Sequence, residues 1–118
     1  MGEERRKSVR IKAQLVIQYC LECDGSMRWD ITSVRDISET GLCILTGRQY
    51  DPEETITLRL KIPSRPFEKI EVAGRVVGSS SAGKGTSFIT RIEFKDLAEE
   101  TRALFHEYLG WLIKSSNE

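Results

Sequence analysis

An alternation of apolar and polar residues runs through most of this chain and gives way only once, near the C-terminus, to a helical period. No other feature constrains the fold so strongly. Ala13, Leu15, Ile17, Tyr19 and Leu21 alternate with Lys12, Gln14, Gln18, Cys20 and Glu22, the period of a half-buried strand. Asp24-Gly25 supplies a hairpin turn, and the return strand places Met27, Trp29 and Ile31 on one face against Arg28, Asp30 and Thr32. Leu42-Cys43-Ile44-Leu45 reads as a third strand. After a polar loop from Gly47 to Glu54, Ile56, Leu58, Leu60 and Ile62 alternate with Thr55, Thr57, Arg59 and Lys61, and Pro63 and Pro66 end that strand. Strands over 67–78 and 86–94 follow as a hairpin across Ser79-Ser80-Ser81-Ala82-Gly83-Lys84-Gly85. In the last strand Phe88, Thr90, Ile92 and Phe94 share one face, leaving Ile89, Arg91 and Glu93 on the other.

Asp96 and Glu99 form a capping pattern for a helix through Lys114, with Leu97, Thr101, Leu104, Phe105, Tyr108 and Leu112 along one stripe. Six strands, each with one polar face, and one amphipathic helix predict an all-β fold: a small six-stranded antiparallel barrel closed by the C-terminal helix. Closure also removes exposed strand edges. The 118 residues, 39% of them hydrophobic, fit a single domain. Its expected organisation is a flexible basic arm over 1–12, the barrel and helix over 13–114, and a tail over 115–118. Trp111 and Ile113 fall beside the main helical stripe, where they either cover the barrel mouth or meet a partner, including a second copy of the chain in a homodimer.

Charge and cysteine usage exclude several classes of function. Lys plus Arg and Asp plus Glu both number 18, so the chain is no bulk polyanion binder, and nucleic acid is not an expected partner. The positive charge that stands out is local: Arg5, Arg6, Lys7, Arg10 and Lys12 cluster at the N-terminus. No apolar run approaches the roughly 20 residues that cross a bilayer, and the start lacks a signal-peptide core, so a cytoplasmic protein without membrane insertion is expected. Cys20, Cys23 and Cys43 form an odd set that suits a reducing compartment, and Cys20-x-x-Cys23 alone supplies too few ligands for a metal site. The single histidine, His106, lies on the predicted helix with no nucleophile or metal set around it in sequence, so neither an enzyme nor a bound cofactor is expected.

Two segments carry chemistry. Arg6 and Arg10, four apart, project to the same side of a helix or a strand, and each guanidinium offers a planar donor fork that fits phosphate oxygens or the O6 and N7 acceptors of guanine. Asp36 and Ser38, two apart, share a side in extended backbone; the carboxylate accepts donors of a guanine edge, and the hydroxyl gives or receives a bond. Gly41 permits a positive φ or a close backbone approach. On residue chemistry alone, Asp36-Ile37-Ser38-Glu39-Thr40-Gly41 equally describes a tight turn held by Asp and Ser side chains.

Arg6-Lys7-Ser8-Val9-Arg10 and Asp36-Ile37-Ser38-Glu39-Thr40-Gly41 resemble, in the right order, the RxxxR and (D/N)xSxxG signatures of the PilZ domain family. Ile56-Thr57-Leu58-Arg59-Leu60, Val72-Ala73-Gly74-Arg75-Val76-Val77 and Phe94-Lys95-Asp96-Leu97-Ala98-Glu99-Glu100 extend the resemblance along nearly the whole chain. It implies a β-barrel that binds the bacterial second messenger cyclic di-GMP on its outer surface, without catalysis, and signals to an unidentified downstream protein in motility, biofilm or exopolysaccharide control. Arg6 and Arg10 would grip phosphates and guanine from a mobile arm that changes conformation on binding, Asp36 and Ser38 would contact a guanine, and Gly41 would keep the turn open. Arg5, just before the first motif arginine, implies a stacked pair of ligands. The alternative function is a nucleotide-independent PilZ-like interaction module in pilus assembly or motility. Two positions depart from the family pattern. Arg91 stands where a small residue is usual and points outward by the alternation, to stack on guanine, crowd the site or pair with a neighbouring strand. Gly78 replaces the usual aromatic after Val76-Val77.

Overall fold

A computed structural model describes residues 11–21, 29–63, 65–83, 85 and 87–116. The elements in chain order are β1 (Ile11–Leu21), β2 (Trp29–Ile37), β3 (Gly41–Thr46), β4 (Thr55–Ile62), β5 (Arg65–Ser81), β6 (Phe88–Lys95) and α1 (Glu99–Ser116). The strands close into the antiparallel barrel that the alternating pattern predicts, in the order β1-β2-β3-β6-β5-β4, with β4 returning to β1. Period-two alternation sends Ile17, Ile44, Ile56, Leu58, Ile62, Val76 and Ile92 inward, where they are almost wholly buried. The helix adds Phe105, Tyr108 and Leu109 to the same core, and the Phe105 ring stacks on Phe94 at 5.1 Å between centroids.

In β4 the expected faces are the observed ones, but β2 departs from expectation. Ile31, grouped with Trp29 on one apolar face, is 69% exposed, and Trp29 lies outside with the Arg59 guanidinium 4.0 Å over its ring. Met27 lies outside the described residues. The strand runs on to Ile37, and Val34 and Ile37 enter the core instead, three residues apart across an irregularity in the β2–β3 pairing between Val34 and Asp36. That extra residue shifts the phase, which a simple two-residue count cannot detect. Thr32, in phase with Val34, is half-buried and donates from Oγ1 to the Leu45 carbonyl at 2.6 Å.

Other boundaries move for local reasons. Pro66 is the second residue of β5 rather than the end of a strand, and the start of a strand is where proline is tolerated. Asp96 does not cap the helix: it takes a left-handed φ of 46°, and the first helical bond runs from the Arg102 N–H to the Ala98 carbonyl. Asp tolerates that conformation better than most residues, so the chain turns off β6 before α1 begins. Ile11 and Lys12, expected in the arm, already pair with Ile37 and Asp36. Of the cysteines, Cys20 and Cys43 are buried, and Cys23 lies outside the described residues, as does the Asp24-Gly25 turn.

Removing Phe105 empties the junction between helix and barrel. Phe105→Ala is expected to cost about 3–5 kcal/mol, read as a lowered midpoint in urea unfolding. A second expectation concerns alkali. Burial, helped by Tyr50 and Asp30, pushes the Tyr19 pKa from 10.0 up to about 12. The folded state thus holds this proton more tightly than the unfolded chain, so the associated stability is intact below pH 10 and is lost as pH rises towards 12. Thermal melts across that range should fall less steeply for Tyr19→Phe; part of the slope remains because burial raises Tyr108 as well.

Candidate functional site

The Asp36–Gly41 segment forms the corner between β2 and β3, on the outer wall. Ile37 turns fully inward, so Asp36 before it faces out, half-buried, opposite the exposed Lys12 of β1 on one side and Cys43 of β3 on the other. Cys43 in turn pairs with Arg91 of β6. Lys12, Asp36, Cys43 and Arg91 thus form one lateral row across four adjacent strands, with Arg91 two strand spacings, roughly 10 Å, from Asp36. Sequence spacing had not revealed this row, because each step in it is a pairing across strands.

Ser38 behaves differently from its spacing. Extended backbone would set it beside Asp36, but β2 ends at Ile37 and Ser38 turns with the corner, 5% exposed. Its N–H donates to the Gly41 carbonyl at 2.8 Å, while its Oγ donates to the same oxygen and accepts from the Thr40 N–H, both at 3.3 Å. The tight-turn reading therefore describes what this hydroxyl does within the chain. A bond from the Phe94 N–H to the Thr40 carbonyl, at 2.8 Å, ties the corner to β6. His106 Nδ1, 2.9 Å from Glu39 Oε2, ties it to α1.

Gly41 is required for a steric reason. A Cβ at this position would stand 2.1 Å from the Ile92 carbonyl oxygen and 3.1 Å from the Glu93 Cα, so β3 approaches the β6 backbone too closely for any side chain. Of the two roles open to this glycine, close approach is the one the fold uses.

Arg91 is exposed, and among the described residues it makes no ion pair. The acid nearest it on the outer face of β6, Glu93, pairs instead with Arg75 of β5, which also reaches Glu53 at 2.9 Å. The Glu93 hydrogen bond and the two carboxylates push the Arg75 pKa up and keep it charged. Across β5 from Arg91 stands Gly78, where a Cβ would meet nothing within 4 Å, so the surface beside the guanidinium is open. Arg5, Arg6 and Arg10 lie outside the described residues.

Fold and corner together define a small closed β-barrel, capped by its C-terminal helix, with an acid–serine–glycine corner on its outer wall. A sequence profile of the PilZ domain matches residues 4–111, and the chain belongs to the PilZ domain family. Among solved structures, the PilZ domain with c-di-GMP of YcgR from Escherichia coli superposes with a TM-score of 0.71 at 14% identity, over 95% of this chain and 94% of that one. The Bacillus subtilis inhibitor of motility MotI/DgrA gives 0.72 at 20% identity over 95% of this chain and 51% of its own. The K. pneumonia MrkH–c-di-GMP complex gives 0.71 at 15% identity over 96% and 54%. This chain therefore spans about half the length of the MotI and MrkH chains. No curated protein sequence gives a significant match.

Gly41→Ala should destabilise the barrel by about 1–3 kcal/mol, the range for forcing an extra methyl into a filled site. The change would appear as a lower thermal melting temperature and faster amide exchange at Phe94, whose N–H is held by the corner.

Proposed function

We propose that this chain is a bacterial cyclic di-GMP receptor of the cytoplasm that binds its ligand on the outer wall and passes the signal to a downstream protein. The observation that carries this reading is the place where the arginine-bearing segment joins the barrel. Ile11 pairs with Ile37 and Lys12 with Asp36, so residue 10 lies one peptide, about 3.8 Å between Cα atoms, from a strand position beside the corner. Arg6, five residues before Ile11, has an extended reach of at most roughly 18 Å. Both guanidinium groups can therefore meet a ligand that also touches Asp36.

The chemistry divides between the two halves. Arg6 and Arg10 grip phosphate oxygens bidentately and satisfy guanine acceptors. Asp36 accepts from the N–H donors of a guanine edge, Ser38 and Gly41 hold the corner that presents it, and Arg91, on the same row, stacks on a guanine base over the open ground beside Gly78. The arm changes conformation as it closes over the ligand, and part of the binding energy is used to order it. Arg5 favours a stacked pair of ligands. The function is recognition rather than catalysis, directed at motility, biofilm or exopolysaccharide control, and Trp111 and Ile113, both exposed on α1, offer a face to a second copy.

Calorimetry with cyclic di-GMP should show saturable binding in the micromolar range or tighter. Arg6→Ala or Arg10→Ala should weaken it on the order of a hundredfold, with the thermal melt almost unchanged, since each removes charge-assisted bonds to the ligand alone. Arg91→Gly should weaken binding less, by roughly tenfold, the scale of one desolvated cation–π contact. Absence of saturable binding by the unaltered chain would sink the reading.

A further inference from the structure

At the tip of the β4–β5 hairpin the alternation lapses, and Arg65, Pro66, Phe67, Glu68 and Lys69 are all exposed in succession. Phe67 is 96% exposed, which leaves a large apolar ring in water with nothing packed against it. Two residues on along β5, Lys69 borders a groove in the barrel wall. The ladder between β1 and β4 pairs only Gln18–Leu21 with Ile56–Arg59, and beyond it lies this groove, of about 180 Å³. That groove is lined by Val16 and Ile31, 65% and 69% exposed, and by Arg59, Lys61 and Lys69. Nearby acids are already engaged: Glu71 pairs with Arg59 at 3.3 Å and Glu68 with Arg65 at 3.5 Å. Among the described residues, Lys61 and Lys69 make no ion pair, so the face carries an uncompensated positive charge in a chain whose formal net charge is zero.

Lysine at an exposed strand edge guards against stray strand pairing, which accounts for Lys61 but not for Phe67, Val16 or Ile31. The arginines of this face, Arg59 and Arg65, are spent on Glu71 and Glu68, so the charge left over is lysine's, and a dehydrated protein interface is depleted in lysine. A compact, well-hydrated ammonium beside an exposed aromatic instead suits lipid phosphates, with the ring entering the boundary between headgroups and acyl chains. No described helix is long and apolar enough to cross a membrane, so the contact would be peripheral.

We propose that the outer face formed by Val16, Ile31, Lys61, Phe67 and Lys69 docks on an anionic lipid bilayer, with Phe67 as its anchor and the two lysines against lipid phosphates. The surface is independent of the corner that holds Asp36, and the proposal stands whether or not the chain binds cyclic di-GMP.

The test is to centrifuge the full chain with vesicles of phosphatidylcholine alone and with vesicles of equal parts phosphatidylcholine and phosphatidylglycerol. The chain should pellet only with the anionic vesicles, and less as salt is raised. Lys61→Glu combined with Lys69→Glu should reduce pelleting on the order of tenfold or more, and Phe67→Ser should reduce it comparably, with thermal melts and cyclic di-GMP binding unchanged. The proposal is overturned if the chain ignores anionic vesicles, or if both variants pellet like the unaltered chain. It also fails if pelleting is lost in Arg6→Ala/Arg10→Ala instead, which assigns the attraction to the N-terminus. A photo-crosslinker at position 67 that labels a protein in cells while vesicles are ignored would make this a protein-docking face and the lipid assignment wrong.

Discussion

The barrel closes because glycine stands where β6 comes too near for a side chain. Gly41 leaves room for the Ile92 carbonyl, and Gly74, on the other flank, leaves room for the Ile92 Cγ2, which would lie 2.3 Å from a Cβ there. Ile92 is thereby drawn between β3 and β5, almost wholly buried, and the β3–β6 ladder from Gly41 to Thr46 joins the β1-β2-β3 half to the β6-β5-β4 half. The corner that carries Asp36 is thus a by-product of closure: its geometry follows from how tightly β3 must lie against β6. A site built this way is held by the core and not by its own loop.

Much of the fold was legible because period two is a direct consequence of strand geometry. The faces of β4 and β6 could be read residue by residue, and Asp36, Ser38 and Gly41 were legible as a set. What could not be read falls into two kinds. One is phase: the irregularity between Val34 and Asp36 turns Ile31 outward, and no local composition marks it. The other is contact between distant segments. Lys12 was counted with the arm although it faces Asp36 across a ladder, and the stacking of Phe105 on Phe94 depends on where α1 comes to rest. The placement of Arg91 on the row of Asp36 needs β3 between them, and the bonding of Ser38 into its own turn needs the corner to exist. Spacing can name such residues but cannot say which atoms are left to a ligand.

One strand serves two surfaces. The start of β1 lies against Asp36, while Val16 and Gln18 further along line the groove beside Lys61. Between them, from Lys12 to Leu15, the β1–β2 register shifts, the sort of irregularity that lets a strand bend between two environments. The wall where β1 begins and the hairpin tip that exposes Phe67 are therefore parts of one continuous sheet.

The link between Glu39 and His106 gives meaning to letters that the motif leaves blank. In (D/N)xSxxG the unspecified positions look interchangeable, yet here the Glu39 side chain meets the helix at His106, whereas the Thr40 bond to β6 is made by a backbone carbonyl that any residue would supply. The specified residues make the corner and set it against β6; the unspecified Glu39 adds its contact with the helix. Relatives that share the signature can thus differ in which element feels a disturbance at the corner.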